Sequence, residues 1–240
     1  MPDGQSVERV VVDRLAFDRR QLVALHVRRA PLSQVVVAAA LGSAAVVLRA
    51  LYAETSRDVL QFARLSAVLV AAAAAVALEN SCAAITGTTS LRRSASSWLS
   101  AGLTGAVAIV VWLMPVLIAR RIAGDPDGLP IGGALIELVA LLVVGWLLTE
   151  TISVLRGPSG AGTVAGASLT LCVVMTLMTP HAIEWLWRGP DPDWGVIHLR
   201  WAVIAAIAIM LLAVMLRDSA APRPSLGKHR PVHLFGDNDE

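Results

Sequence analysis

The polar stretch of residues 79–97 separates two long apolar runs and has residue types suited to binding another protein. It begins with the acidic Glu79, continues through small residues compatible with a short helix, and then reaches the basic pair Arg92-Arg93. The stretch is too polar to lie in hydrocarbon and too short to form a domain. We predict a cytoplasmic loop that docks onto a separate protein that supplies energy. The predicted contact residues are Glu79, Asn80, Ser81, Cys82, Ala83, Ala84, Ile85, Thr86, Arg92 and Arg93.

Two carboxylates, Glu137 and Glu150, lie within one apolar run that covers residues 131–155. A charge at the centre of a bilayer costs about 2.5–3.5 kcal/mol on insertion scales, so an intramembrane carboxylate usually faces protein or water. At ~1.5 Å per helical residue, Glu137 lies about 9 Å from the start of the run, and Glu150 is similarly close to its end. These carboxylates could line a substrate path or pair across a helix interface. We expect instead that they reach water near the interfaces, or an arginine such as Arg156.

The glycine-rich segment Gly157-Pro158-Ser159-Gly160 permits two enzymatic interpretations, and each lacks a required residue. A phosphate-binding P-loop needs a lysine directly after its second glycine, whereas the one lysine of the chain is Lys228. The segment also resembles locally the serine motif of rhomboid proteases, but a nucleophilic serine needs a nearby histidine base. His181 and His198 belong to the opposite face of the predicted topology. We therefore predict a turn between two spans, with no ATP hydrolysis by this chain.

Neither a metal site nor a cofactor site is predicted. Cys82 and Cys172 lack metal-ligand spacing, and their positions do not favour a disulfide. His181 and Glu184 are three residues apart and could share a helix face. No third ligand accompanies them, so we interpret the two as a structural pair near the outer surface.

The elements that carry these residues are predicted to be membrane-spanning helices. The chain is 56% hydrophobic and 16% charged, against roughly 25% charged residues in soluble domains. A spanning helix needs about 20 mostly apolar residues. Six runs qualify: 33–51, 59–78, 98–119, 131–155, 161–187 and 196–216. Pro180 is expected to break the fifth run, and Arg64, near one end of the second, is expected to extend its guanidinium to the interface.

The fold class is therefore an all-α membrane protein with six transmembrane helices and an N-terminal amphipathic helix. Most of the 20 Lys and Arg residues fall on the cytoplasmic side if both termini are cytoplasmic, in line with the positive-inside rule. Residues 1–31 form a cytoplasmic segment whose residues 7–29 are amphipathic and either lie in the inner headgroup layer or pack, solvated, on a partner. Residues 32–217 form the transmembrane domain. Residues 218–240 are polar, rich in proline and predicted to be disordered.

Short sequence motifs resemble a known family of transporters. The first group of motifs resembles the first cytoplasmic loop of a family of small six-span permeases. These permeases belong to actinobacterial ATP-binding-cassette (ABC) exporters of the ABC-2-like type. This first group comprises Leu78-Glu79-Asn80-Ser81-Cys82-Ala83-Ala84, Thr88-Thr89-Ser90 and Leu91-Arg92-Arg93. The last segment of that family is similar to His198-Leu199-Arg200-Trp201-Ala202 and Arg217-Asp218. Asn80 stands where a second acid is common in the family, and Ser81 where a proline is common.

The resemblance implies a dimeric transmembrane unit in the bacterial plasma membrane. Its coupling helix would be seated in a cleft of a separate ABC ATPase subunit, and the second half would be a copy or a sister permease. The predicted function is therefore the permease subunit of an ABC exporter, with residues 79–97 as the coupling loop. The alternatives are a stand-alone secondary transporter, a non-transporting membrane scaffold and, remotely, an intramembrane serine protease. The cargo stays open among drugs, lipids, peptides and polysaccharide precursors.

Overall fold

The computed structural model describes residues 32–52, 56–86, 93–123, 130–178 and 194–218. These residues form the helices α1 (Leu32–Tyr52), α2 (Ser56–Thr86), α3 (Arg93–Ala123), α4 (Ile131–Arg156), α5 (Ala161–Met178) and α6 (Trp194–Asp218). No β-strand occurs in this part of the chain, and the all-α prediction is confirmed for it.

Five of these helices are long and apolar enough to cross a membrane. They are Leu32–Tyr52, Val59–Glu79, Ser97–Ala123, Ile131–Arg156 and Gly195–Arg217, and each agrees with a predicted run to within a few residues. The fifth predicted span is apolar but shorter, because the described part of α5 ends at Met178 and its predicted continuation lies outside the described residues. Large apolar side chains such as Leu41, Leu171 and Met210 point outward. The architecture is compatible with a multi-pass membrane protein.

Helix α2 is the central element of the bundle. Its apolar span is 61% buried, whereas the other four spans are between 22% and 44% buried. It packs against α1, α3, α4 and α5. The alanine block at Ala71–Ala75 explains this position, because small side chains allow several neighbouring helices to approach one backbone closely.

Glycines allow α5 and α1 to lie close against α2. In α5, a Cβ at Gly162 would lie 2.9 Å from the Cα of Val76, and a Cβ at Gly166 would lie 2.9 Å from the carbonyl oxygen of Ala72. Glycines four residues apart bring helix backbones together in membrane proteins. In α1, a Cβ at Gly42 would lie 2.7 Å from the Cβ of Ser66. Larger residues at these positions would force α2 away from its neighbours.

Several sequence predictions concern residues that the structure does not describe. These are the N-terminal amphipathic segment, Arg92, the pair His181 and Glu184, and the C-terminal tail. They stay predictions.

Candidate functional site

A buried cluster of three ionisable side chains joins α2, α4 and α6; we call Arg64, Glu137 and His198 the Glu137 cluster. Arg64 donates from Nε to Oε2 of Glu137 at 2.8 Å and from Nη2 to Oε1 at 2.7 Å. Two parallel bonds of this kind are the strongest form of arginine–carboxylate pair. Nε2 of His198 lies 3.2 Å from Oε1 of the same carboxylate. Each residue lies near the N-terminal end of its helix, so α2, α4 and α6 run in the same direction.

This geometry corrects two expectations from the sequence. The side chain of Arg64 is 2% exposed and that of Glu137 is 1% exposed, so neither extends to water near an interface. The carboxylate of Glu137 does reach an arginine, but this is Arg64 across a helix interface, the alternative that the sequence left open. Burial of a charge requires a partner and hydrogen bonds that compensate for the lost water. The guanidinium and the carboxylate provide these for each other.

Gly133, one turn before Glu137 on α4, makes room for the imidazole of the cluster. A Cβ at this position would lie within 2.7 Å of Cδ2 of His198. The ring therefore lies directly against the backbone of α4, and this places Nε2 beside Glu137. At the adjacent Gly132, a Cβ would meet nothing within 4 Å. The two neighbouring glycines thus have different roles, and the one at position 133 is required by contact with His198.

An indole braces α2 next to Arg64. Nε1 of Trp112 on α3 lies 3.1 Å from the carbonyl oxygen of Ala63 and 2.9 Å from Oγ of Ser66, and it donates to both. Oγ of Ser66 in turn donates to the carbonyl oxygen of Ala63 at 2.7 Å. Trp112 is among the largest fully buried side chains. These bonds fix α3 against the turn of α2 that carries Arg64, so the arginine is held at a defined depth.

The second carboxylate of α4 belongs to a separate polar group near the other end of the bundle. Oγ of Ser97 donates to Oε1 of Glu150. Nε1 of Trp146 lies 3.3 Å from Oγ of Ser97 and 3.4 Å from Oε1 of Glu150. Glu150 is 7% exposed, so the expectation that it reaches water is also wrong. The ring of Trp98 meets that of Trp146 edge to face, with 4.6 Å between the centroids.

The third carboxylate, that of Glu79, binds the first turn of α5. It accepts hydrogen bonds from the backbone N–H groups of Gly160, Gly162 (2.9 Å) and Thr163 (3.3 Å). Backbone N–H groups at a helix N-terminus have no partner within the helix and carry partial positive charge, so a carboxylate there is favourable. Gly157 and Gly160 have φ angles of 94° and 78°, which favour glycine. The predicted turn between spans four and five is confirmed.

Part of the predicted coupling loop is helical. Helix α2 continues through Asn80–Thr86, beyond the apolar span that ends at Glu79, and α3 already begins at Arg93. The carboxylate of Glu79, a predicted docking contact, is directed to α5. Residues 87–92 of the predicted loop lie outside the described residues.

The serine-protease interpretation lacks its base within the described residues. Ser159 lies in the turn that contacts Glu79, whereas His198 contacts the residue that pairs with Arg64. Glu79 and Arg64 are about 22 Å apart along α2 at ~1.5 Å per residue. Among the described residues, no group of three or more His, Cys, Asp or Glu side chains could hold a metal ion.

Sequence reasoning missed the roles of Gly133 and His198. A signal was available in the sequence: Arg64, Glu137 and His198 each lie a few residues after the start of an apolar run. These are the second, fourth and sixth runs, which cross a membrane in the same direction. Ionisable residues at matching depths in parallel spans can pair with one another. No protein-family model matches the chain, and neither a curated protein nor a solved structure matches it.

Proposed function

We propose that the chain is the permease subunit of an ABC-type exporter. In this proposal the bundle crosses the bacterial plasma membrane six times, both termini are cytoplasmic, and residues 79–97 couple it to a separate ATPase subunit. A second copy or a sister permease completes the substrate path. The support is the set of five helices of spanning length and the helical extension Asn80–Thr86, which follows the apolar span of α2.

The observation that carries this proposal is the contact between Glu79 and the first turn of α5. The carboxylate accepts backbone hydrogen bonds from Gly162 and Thr163 at the point where the apolar span of α2 ends. A partner that pushed on the extension would therefore move the ends of two spans together. Because α2 also packs against α1, α3 and α4, its displacement reaches most of the bundle. Packed interfaces respond by moving between discrete arrangements, which makes such transmission efficient.

The test is purification of the chain from its native membrane in mild detergent, followed by identification of the bound proteins. We expect an ABC ATPase in stoichiometric amount and ATP-dependent export after reconstitution. Replacement of residues 80–86 by a Gly/Ser sequence should abolish ATPase binding, whereas the same replacement of residues 222–228 in the tail should not. Export by the purified chain alone, driven only by an ion gradient, would refute the proposal. Retention of the ATPase without any transport would indicate a scaffold.

The Glu137 cluster favours a second candidate, a stand-alone secondary transporter. Intramembrane ionisable residues commonly mark paths for ions, protons or substrates, and the Glu137 cluster contains a carboxylate, a guanidinium and an imidazole in contact. In this case, proteoliposomes that contain only this chain would take up substrate in response to an ion or pH gradient. Glu137→Gln would abolish that uptake. In the exporter, the Glu137 cluster is a structural brace and the chain alone gives no gradient-driven uptake.

A further inference from the structure

A cavity of about 360 Å³ lies between α3 and α4, with α2 as its floor. We call it the α3–α4 cleft. Its lining residues are Ala74, Leu78, Trp98, Ala101, Gly102, Thr104, Gly105, Ala106, Ile109, Val139, Leu142, Val143 and Trp146. Small-molecule sites typically have volumes of about 300–1,000 Å³ and mostly apolar walls with a few polar groups. The α3–α4 cleft has both properties, and it is partly open to the surface of the bundle.

Two glycines of α3 create part of this space. A Cβ at Gly102 or Gly105 would meet nothing within 4 Å, so close helix packing does not account for either residue. Both positions are well inside α3, where glycine lowers helix stability relative to alanine. This distinguishes them from Gly42 and Gly162, which contact a neighbouring helix. The missing side chains of Gly102 and Gly105 leave volume in the cleft.

The lining includes one hydroxyl, that of Thr104. This residue is 1% exposed and lines the cleft. One turn earlier, the hydroxyl of Ser100 is also buried and has no hydrogen-bond partner in the described part of the chain. A buried polar group normally has a partner. A ligand with a single donor or acceptor would find in Thr104 a hydroxyl that can both donate and accept.

The aromatic end of the cleft has a fixed orientation. Trp98 and Trp146 meet edge to face, and both line the cleft. The bonds from Nε1 of Trp146 to Ser97 and Glu150 hold its ring in place. An apolar or aromatic ligand would therefore meet a preformed wall rather than a flexible one, which lowers the entropic cost of binding.

We propose that the α3–α4 cleft binds an uncharged lipophilic small molecule that carries one hydrogen-bonding group. Its apolar body would occupy the space next to Gly102 and Gly105, and its polar group would bond to Thr104. Peptides and polysaccharide precursors fit poorly, because their many polar groups would lose water without finding partners on these walls. The interpretation of the cleft as the site of the exported substrate rests on the proposed exporter function. Binding itself can be measured without the ATPase.

The test uses N-phenyl-1-naphthylamine, a lipophilic aromatic amine with one N–H donor whose emission rises in apolar surroundings. The purified chain is placed in phosphatidylcholine nanodiscs, and energy transfer from tryptophan to the probe is titrated. We expect a saturable component, one site per chain, above the linear background that partition into lipid produces. Gly102→Leu should fill the cleft and abolish this component. Gly132→Leu is the matched control, because a Cβ at Gly132 also meets nothing within 4 Å but Gly132 does not line the cleft.

Thr104→Val tests the polar contact, because it removes the hydroxyl and keeps the shape. It should weaken binding roughly two- to tenfold, the usual effect of one hydrogen bond. Circular dichroism and gel filtration confirm that each variant remains folded. A titration that shows only partition into lipid would overturn the proposal, as would equal saturable binding in the wild type and Gly102→Leu. A negative binding result would not contradict the proposed ATPase partnership. Conversely, the absence of an ATPase partner would not change the result of this binding measurement.

Discussion

The contact between Gly133 and His198 predicts that two adjacent glycines respond oppositely to the same substitution. Gly133→Ala places a Cβ within 2.7 Å of the buried imidazole ring, whereas Gly132→Ala places one in open space. Alanine stabilises a helix by about 0.5–1 kcal/mol relative to glycine, and this gain is similar at the two positions. Overpacking of a buried site costs about 1–3 kcal/mol. We therefore expect Gly133→Ala to be less stable than Gly132→Ala by about 1–3 kcal/mol.

The assay is reversible unfolding in mixed micelles, with circular dichroism as the readout. Each alanine substitution is measured alone and together with His198→Ala, which removes the ring that the new methyl group would contact. In the His198→Ala background the penalty at Gly133 should fall to the level of Gly132→Ala. The difference between the two backgrounds is the coupling energy of the pair.

Two outcomes would refute this reasoning. If Gly133→Ala and Gly132→Ala have the same free energy of unfolding, the ring does not lie against α4. If the penalty at Gly133 persists without the imidazole, the methyl group collides with something other than His198. Either result would also remove the geometric basis for placing His198 beside Glu137.

Three further substitutions test other contacts between the helices. Glu137→Leu should lower the free energy of unfolding by about 3–5 kcal/mol because a buried guanidinium loses this carboxylate, and combination with Arg64→Met should restore part of the loss. Glu79→Gln should cost about 1–2 kcal/mol through loss of charge-assisted bonds to a helix N-terminus, and hydrogen exchange at Gly162 should become faster. Gly162→Ala should cost about 1–3 kcal/mol because the methyl group meets the backbone of α2; thermal unfolding that matches the wild type would contradict it.

The positions of the helices could be predicted because long apolar runs admit few other structures. The first, fourth and sixth runs match α1, α4 and α6 within two residues. The second and third runs match the apolar spans Val59–Glu79 and Ser97–Ala123 within four residues, but the helices that contain these spans are longer. Apolarity defined their bounds, whereas α2 and α3 extend into the polar segments Asn80–Thr86 and Arg93–Ser97. Neither segment contains glycine or proline, so the backbone can stay helical beyond the apolar span.

The partners of the charged residues could not be predicted in the same way. Arg64 and Glu137 are 73 residues apart, and each lies a few residues from the end of an apolar run. From the sequence alone, such a position is equally compatible with a side chain that reaches water and with one that faces another helix. The choice depends on which helices are neighbours. The same limit applies to Gly132 and Gly133, because the sequence does not show that Gly133 lies against His198 of α6 whereas Gly132 faces open space.

The polar contacts restrict α4 at its two ends but not at its middle. Near its start, Glu137 is bonded to Arg64 of α2 and lies beside His198 of α6; near its end, Glu150 is bonded to Ser97 of α3. About 20 Å of helix separates the two carboxylates at ~1.5 Å per residue, and the α3–α4 cleft lies along this interval. Because buried charges are costly to separate from their partners, movements that keep both ends in place are favoured. If the cleft binds the proposed ligand, we expect it to widen and narrow by movements that leave both carboxylates paired.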